Sequence, residues 1–266
     1  MNFHKFIMNI QKTVIRDIFH AYKILKTNRT ISVNELAKRL FASSATIRRD
    51  LNKMESKGLV TRAFCAVTLN KCKANEETPF TFRENANVNN KRKLCKATCS
   101  YITNNSSIFI DSSSTLLQLV PYLNDFENLT IITNGLLIAF ELITKTKHRV
   151  LLLGGTIKTS ANSILGLLTL KNIESFHCKF ALFSTSALDI NFGLSETTIE
   201  QSETKKIMIK NSDKSICLVD KSKFNKRSLY KTCNINQLDL LITDFPKNNE
   251  FDEFINSTNT QLVYVN

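Results

Sequence analysis

Apolar positions recur at helical spacing near the start of the chain and gather into short continuous runs further on, so the hydrophobic pattern alone divides it in two. Val14, Ile18, Tyr22 and Leu25, flanked by Ile15 and Phe19, predict an amphipathic helix that stops at Thr27-Asn28. Ser32-Val33-Asn34-Glu35 has the form of a capping box, in which the Ser hydroxyl accepts from the amide three residues on and Glu35 reaches back. Leu36, Ala37 and Leu40 supply the buried side of a second helix, running to about Phe41. Ser43 and Ser44 cap a third helix with Ile47, Leu51 and Met54 facing inward, and Gly58 stops it. Residues 59–64 and 66–69 alternate as a short hairpin. Helix, tight turn, helix and hairpin together predict a winged helix-turn-helix, an α+β unit over residues 1–73.

Residues 74–90 are polar, rich in Asn and Glu and without an apolar period, and predict a linker. Beyond a helical stretch that opens at Lys91, strands are predicted at 108–110, 129–133, 150–153, 180–184, 216–219, 238–243 and 262–265. Helices are predicted between them near 114–123, 135–144, 164–172, 199–211 and 249–256. Strand then helix, repeated, makes residues 91–266 an α/β domain with a mainly parallel sheet and helices on its faces.

Charge sharpens this division. The net charge of the 266 residues is +13, and residues 1–73 carry 15 basic against four acidic groups, a net +11, while the remainder is nearly neutral. A compact basic unit on a neutral one is the asymmetry expected where one end meets a polyanion. Seven cysteines, an odd number without a C-x-x-C pair or a His at ligand spacing, point to reduced thiols and to no metal. The absence of a secretory segment and of a bilayer-length apolar run predicts a cytoplasmic protein with no membrane partner. No cofactor is indicated.

Two sets of residues carry candidate chemistry. The third helix presents Ser44, Ala45, Arg48, Arg49 and Asn52 outward, with Ser43 and Thr46 at its start and Arg62 on the wing. Guanidinium groups can fork onto guanine edges or phosphates, an Asn can pair an adenine edge, and the helix start can meet a phosphate, so a double-stranded DNA operator is the expected partner. In the α/β domain, polar residues gather where strands end. Asp111, Ser113, Ser114 and Thr115 follow the first strand, and Thr133, Asn134, Gly154, Gly155, Asp189 and Lys223 end later ones. Hydroxyls and amides at a helix start suit a phosphate, carboxylates suit sugar hydroxyls, and Lys223 suits phosphate.

The run Ser32–Ala37, the segment Ser43–Leu51 with its Thr46-Ile47-Arg48-Arg49-Asp50-Leu51 core, and Gly58–Arg62 resemble the signature of the DeoR family of bacterial transcriptional repressors. Further on, Asp111–Thr115 resembles that family's Asp-Ser-Gly-Thr-Thr loop, Thr133-Asn134-Gly135 its Thr-Asn-Ser, and Leu153-Gly154-Gly155 with Lys158 its Gly-Gly turn. Leu165-Gly166, Asp220–Phe224 and Ile242–Asp244 resemble later strand-end motifs. The chain departs from the pattern at Phe64-Cys65-Ala66-Val67, where the family has His-Gly-Gly-Ala, at Ser113 and Ala187, where it has Gly, and at Gln201, where it has an acid. The resemblance implies a ribose-5-phosphate isomerase-like sensor fold and a homo-oligomeric repressor of carbohydrate-metabolism genes that releases its operator on binding a phosphorylated sugar. It implies no enzyme activity. Two alternatives stay open at this point: an isomerase-type enzyme with Asp111 or Asp189 as base and Lys223 stabilising an enediolate, and a DNA-binding regulator whose sensor no longer binds ligand.

Overall fold

A computed structural model describes residues 20–22, 24–25, 27–28, 30–56, 59–63, 66–69 and 77–265. The chain forms two compact units, Met1–Lys73 and Ala74–Asn266.

In the first unit, β1 (Thr30–Ser32) leads straight into α1 (Val33–Arg39), and α2 (Ser44–Ser56) follows across a short turn. Ser32 caps α1, its Oγ accepting from the Glu35 amide at 3.1 Å. The reciprocal half of the expected capping box is replaced by an ion pair, because Glu35 Oε1 lies 2.8 Å from Arg39 Nε one turn on. β2 (Val60–Ala63) and β3 (Ala66–Leu69) form the expected hairpin, and β1, absent from the sequence expectation, adds antiparallel to β3. Leu36, Ile47, Leu51, Met54, Val60 and Val67 are all buried, so the two helices and the hairpin close over one small core. The expected helix stop at Gly58, the Phe64-Cys65 turn and the first helix before His20 lie outside the described residues, as do Cys65 and Cys72.

The second unit is built on a seven-stranded, all-parallel sheet in the order β15-β14-β12-β9-β4-β5-β6. Its members are β4 (Ser107–Ile110), β5 (Thr130–Thr133), β6 (Arg149–Leu152), β9 (Cys178–Ser184), β12 (Ser212–Val219), β14 (Leu240–Thr243) and β15 (Gln261–Tyr264). They correspond to the seven expected strands, whose near-continuous apolar runs mark a sheet covered on both faces. Alternate residues serve opposite layers: Ile108, Ile110, Leu182 and Leu218 pack on one side, Phe109, Phe183, Cys217 and Leu241 on the other. The helices α3 (Phe80–Asn85), α4 (Val88–Thr98), α5 (Leu136–Lys145), α6 (Leu167–Glu174), α7 (Ile199–Lys210) and α8 (Asn249–Asn256) complete the unit.

Several expectations are corrected. Residues 77–90 are not a bare linker: α3 buries Phe80 and Phe82, and the Phe80 amide donates to the Ser160 carbonyl at 2.8 Å. Two buried rings in a helix of six residues leave no apolar period to detect. The helix expected near 114–123 is a 3-10 run, Leu116–Asp125, with Pro121 inside it, a residue that cannot donate to the backbone ladder. Two smaller sheets were not anticipated. One is the hairpin of β7 (Thr156–Lys158) and β8 (Ser163–Leu165), the second of which takes the start of an expected helix; the other joins β10 (Ala187–Asp189), β11 (Gly193–Glu196) and β13 (Tyr230–Cys233).

Candidate functional sites

The sheet order fixes where a ligand site belongs. Strands β4, β5 and β6 run outward one way and β9, β12, β14 and β15 the other, so the topological switch point falls between β4 and β9, where crevices open beyond the carboxyl ends. A small polar cleft lies there, lined by the loop after β4, the end of β9 and the segment after it, Glu196 of β11, Gln201 and Lys205 of α7, Lys223, and Glu77 and Arg83 from the start of the unit.

Asp111, the first residue past β4, staples the switch point. Buried, it accepts from Ser113 N at 2.9 Å through Oδ1 and from Ser184 N at 3.1 Å through Oδ2, which also lies 3.6 Å from Lys205 Nζ. Ser113 Oγ accepts at 3.2 Å from the amide of Leu116, the first residue of the 3-10 run. Ser114 Oγ accepts from Lys91 Nζ at 3.0 Å, and the Thr115 carbonyl accepts from Cys95 Sγ at 3.2 Å. Among the described residues the Ser114 and Thr115 amides meet no acceptor, which leaves them for a ligand anion.

Two of the cleft's cations, Lys205 and Arg83, are paired with carboxylates. Lys205 Nζ donates to Glu196 Oε1 at 2.6 Å, and Glu196 also accepts from Ser186 N at 3.2 Å and Ser186 Oγ at 2.6 Å. Burial alone would push the Glu196 carboxyl up; the Lys205 ammonium and these hydrogen bonds outweigh it and hold it below the usual carboxylate range. Burial likewise works against Lys205, and Glu196 with Asp111 raises it above the ordinary amine value. Arg83 pairs with Glu77 at 2.7 Å and donates to the Thr78 carbonyl at 2.8 Å. Lys223 Nζ donates to the Thr185 carbonyl at 2.7 Å; burial lowers its pKa, against the pull of Asp220 and Glu196. Lys91 is pushed down to about 7, first by burial and then by Lys223.

Of the residues expected from sequence, Ser113, Ser114, Thr115 and Lys223 line this cleft and Asp111 holds its loop from behind. The others do not line it. Thr133 Oγ1 accepts from Gly135 N at 3.0 Å, and Asn134 Nδ2 donates to the Ile164 carbonyl at 3.1 Å, pinning the β7–β8 hairpin. Gly154 N donates to Asn172 Oδ1 at 3.0 Å, and Gly155, at φ 147°, admits Thr169 where a Cβ would stand 2.1 Å from its Oγ1. Both glycines serve the seam between β6 and α6. Asp189 accepts from Asn191 N, Phe192 N and Arg227 Nη2 and closes the β10–β11 turn. Sequence reasoning missed Glu77, Arg83, Glu196 and Lys205. The one available signal was that Gln201 and Lys205 stand four apart, on one side of α7.

In the first unit, Ser43 Oγ accepts from Thr46 N at 3.1 Å and caps α2, and Ser44 Oγ reaches Asn34 Oδ1 of α1 at 3.5 Å. Ala45, Arg48, Arg49 and Asn52 are exposed along one side of α2, while Ile47, Leu51 and Met54 are buried on the other. Asn52 Oδ1 accepts from Arg62 Nη1, and the Arg62 amide donates to Glu55 Oε1 at 3.1 Å, so the wing arginine is tied to the helix. Thus Asn52 has its carbonyl oxygen engaged within the protein. Among the described residues no helix is long and apolar enough to cross a membrane, and no group of three or more His, Cys, Asp or Glu could hold a metal ion.

Comparison with known proteins agrees with both units. Residues 21–73 match the DeoR-like helix-turn-helix domain and residues 86–245 the DeoR C terminal sensor domain. The HTH-type transcriptional regulator GolR of Listeria innocua is 32% identical over 83% of this chain and 87% of its own. The glycerol-3-phosphate regulon repressor of Escherichia coli is 30% identical over 84% of this chain and 88% of its own. The L-fucose operon activator of Haemophilus influenzae is 29% identical over 80% and 85%. Among solved structures, ribose 5-phosphate isomerase A from Methanocaldococcus jannaschii aligns with a TM-score of 0.39 and 14% identity over 52% of this chain and 55% of that one. On its two matched domains and these relatives, the chain belongs to the DeoR family of transcriptional regulators.

Proposed function

We propose that the protein represses carbohydrate-metabolism genes by binding a DNA operator through α2 and the wing, and that it releases the operator when a phosphorylated sugar occupies the cleft at the β4–β9 switch point. The observation that carries this reading is the loop Ser112–Thr115: two amides without acceptors among the described residues, four hydroxyls and the adjoining Lys223 form an anion cradle in a polar cleft. Its remaining lining is hydroxyls, carboxylates, cations and the Gln201 amide, a poor match for an apolar ligand and a good one for a polyol. On the DNA side, Ser43, Ser44, Ala45, Thr46, Arg48 and Arg49 supply the helix start and the exposed guanidiniums, with Arg62 oriented by Asn52. Names given to relatives include both a repressor and an activator, and we assign repression because the ligand-bound state has a direct way to relieve it, by loss of operator contact. A homo-oligomer is the matching assembly, since helix-turn-helix heads read paired half-sites, and the cytoplasm is the matching compartment.

An isomerase reading finds less support. Asp189 is committed to Arg227 and its own turn, Asp111 to two amides and Lys205, and Glu77 and Glu196 to cations, so each carboxylate near the cleft already has partners. The test is operator binding by the full-length protein on DNA flanking its own gene, with and without sugar phosphates. Turnover of ribose 5-phosphate would overturn the regulator-only reading.

A further inference from the structure

The cations of the cleft differ in whether the protein itself neutralises them. Arg83 is matched by Glu77 at 2.7 Å and Lys205 by Glu196 at 2.6 Å. Lys223 is the exception: among the described residues no carboxylate lies within salt-bridge distance of its ammonium, which donates to the Thr185 carbonyl. The very next residue, Ser186, turns both its amide and its hydroxyl onto Glu196. Ser186 N, Ser186 Oγ and Lys205 Nζ thus form a second cradle, of the donor composition that would hold an external phosphate or carboxylate, and the side chain of Glu196 fills it. With 3% of its side chain exposed and every partner inside the protein, Glu196 cannot be displaced without leaving the buried Lys205 ammonium only Asp111, at 3.6 Å, as counter-ion.

We propose that Glu196 is a built-in anion that sets the ligand class, so that the cleft accepts one phosphate, at Lys223 and the Ser112–Thr115 loop, and rejects a second anionic group on the same molecule. The ligand is a monophosphate with a neutral, hydroxyl-bearing remainder. A bisphosphate or a phosphorylated acid would bring its second charge against a carboxylate already occupying the matching donors, an arrangement that penalises the wrong partner. This rests on the sensor reading above and narrows it.

The test is calorimetric titration of the full-length protein with glycerol 3-phosphate, ribose 5-phosphate and fructose 6-phosphate, set against ribulose 1,5-bisphosphate and fructose 1,6-bisphosphate. The wild-type protein should bind at least one monophosphate and take the bisphosphates at least about tenfold more weakly. Glu196→Gln should shrink that ratio or reverse it, and Glu196→Ser carries the same expectation should the Gln variant not fold. Bisphosphates bound as tightly as monophosphates by the wild type, or a ratio untouched by both variants, would overturn the inference while leaving the sensor reading in place. If none of the five ligands binds, the sensor reading falls and the inference with it.

Discussion

Phe41 ends α1 in the manner of a Schellman motif: its amide donates to the Lys38 carbonyl at 3.2 Å and the Ala42 amide to the Ala37 carbonyl at 3.0 Å. That motif requires a left-handed residue, and Phe41 adopts φ 50° with its ring 99% exposed, so it carries the steric cost of the conformation without any burial to offset it. Phe41→Gly should therefore stabilise the first unit by about 0.5–1 kcal/mol, the strain relieved less the extra chain entropy of glycine. Chemical denaturation showing equal or lower stability would contradict this. Lys91 carries a pH signature of its own. Its folded pKa is about 7 against an ordinary 10.5, so between those values the unfolded chain binds more protons than the folded one. Stability should rise as pH climbs through that window, the cost of the buried ammonium being carried in full below it. Melting temperatures of wild type and Lys91→Met should draw apart or together steadily from pH 7 to 10, in favour of wild type as pH rises; a difference flat with pH contradicts the assignment. Neither feature, nor the Glu196–Lys205 pair, was legible in the sequence, because each depends on what surrounds the residue.

At the scale of elements the sequence was most legible where burial is complete. The strands from β4 to β15 that make the large sheet are short apolar runs because both their faces are covered, and such runs announce themselves. The strands β7, β8, β10, β11 and β13 mix polar residues with one or two apolar ones, so no apolar run registers, and α3 hides two buried Phe in a polar stretch. The same limit divided the candidate site: the strand-end loop Ser113–Thr115 was legible as a motif, whereas Glu77 and Arg83 came from the segment taken for linker. Gly155 shows how an element seam can pass for a ligand turn. At φ 147° a side chain there would meet Thr169 Oγ1 at 2.1 Å and the Leu165 carbonyl at 2.8 Å. Gly155→Ala should lower stability by about 2–4 kcal/mol, through strain and overpacking, and leave ligand affinity of the folded protein unchanged. Normal stability with lost sugar-phosphate binding would return Gly155 to the ligand site.

For the molecule as a whole, a net +11 in residues 1–73 precedes a nearly neutral unit, and the cleft of that second unit is lined in part by Glu77 and Arg83, close in sequence to the boundary at Lys73. In the proposed function, a ligand that reorganised the Arg83–Glu77 and Lys91–Ser114 contacts would act on the stretch of chain leading back to the DNA-binding unit, and so would couple cleft occupancy to operator affinity. The central claim is that coupling. Fluorescence anisotropy of a labelled duplex from DNA flanking the protein's own gene, at fixed salt, tests it directly. The wild-type protein should bind and be released by a sugar monophosphate. Arg48→Ala should lose about 1–3 kcal/mol of operator affinity while remaining folded, and Lys223→Ala should bind the duplex as wild type does yet fail to release it. Release of the Lys223→Ala variant at the same ligand concentration, or operator binding untouched by Arg48→Ala, would contradict the account.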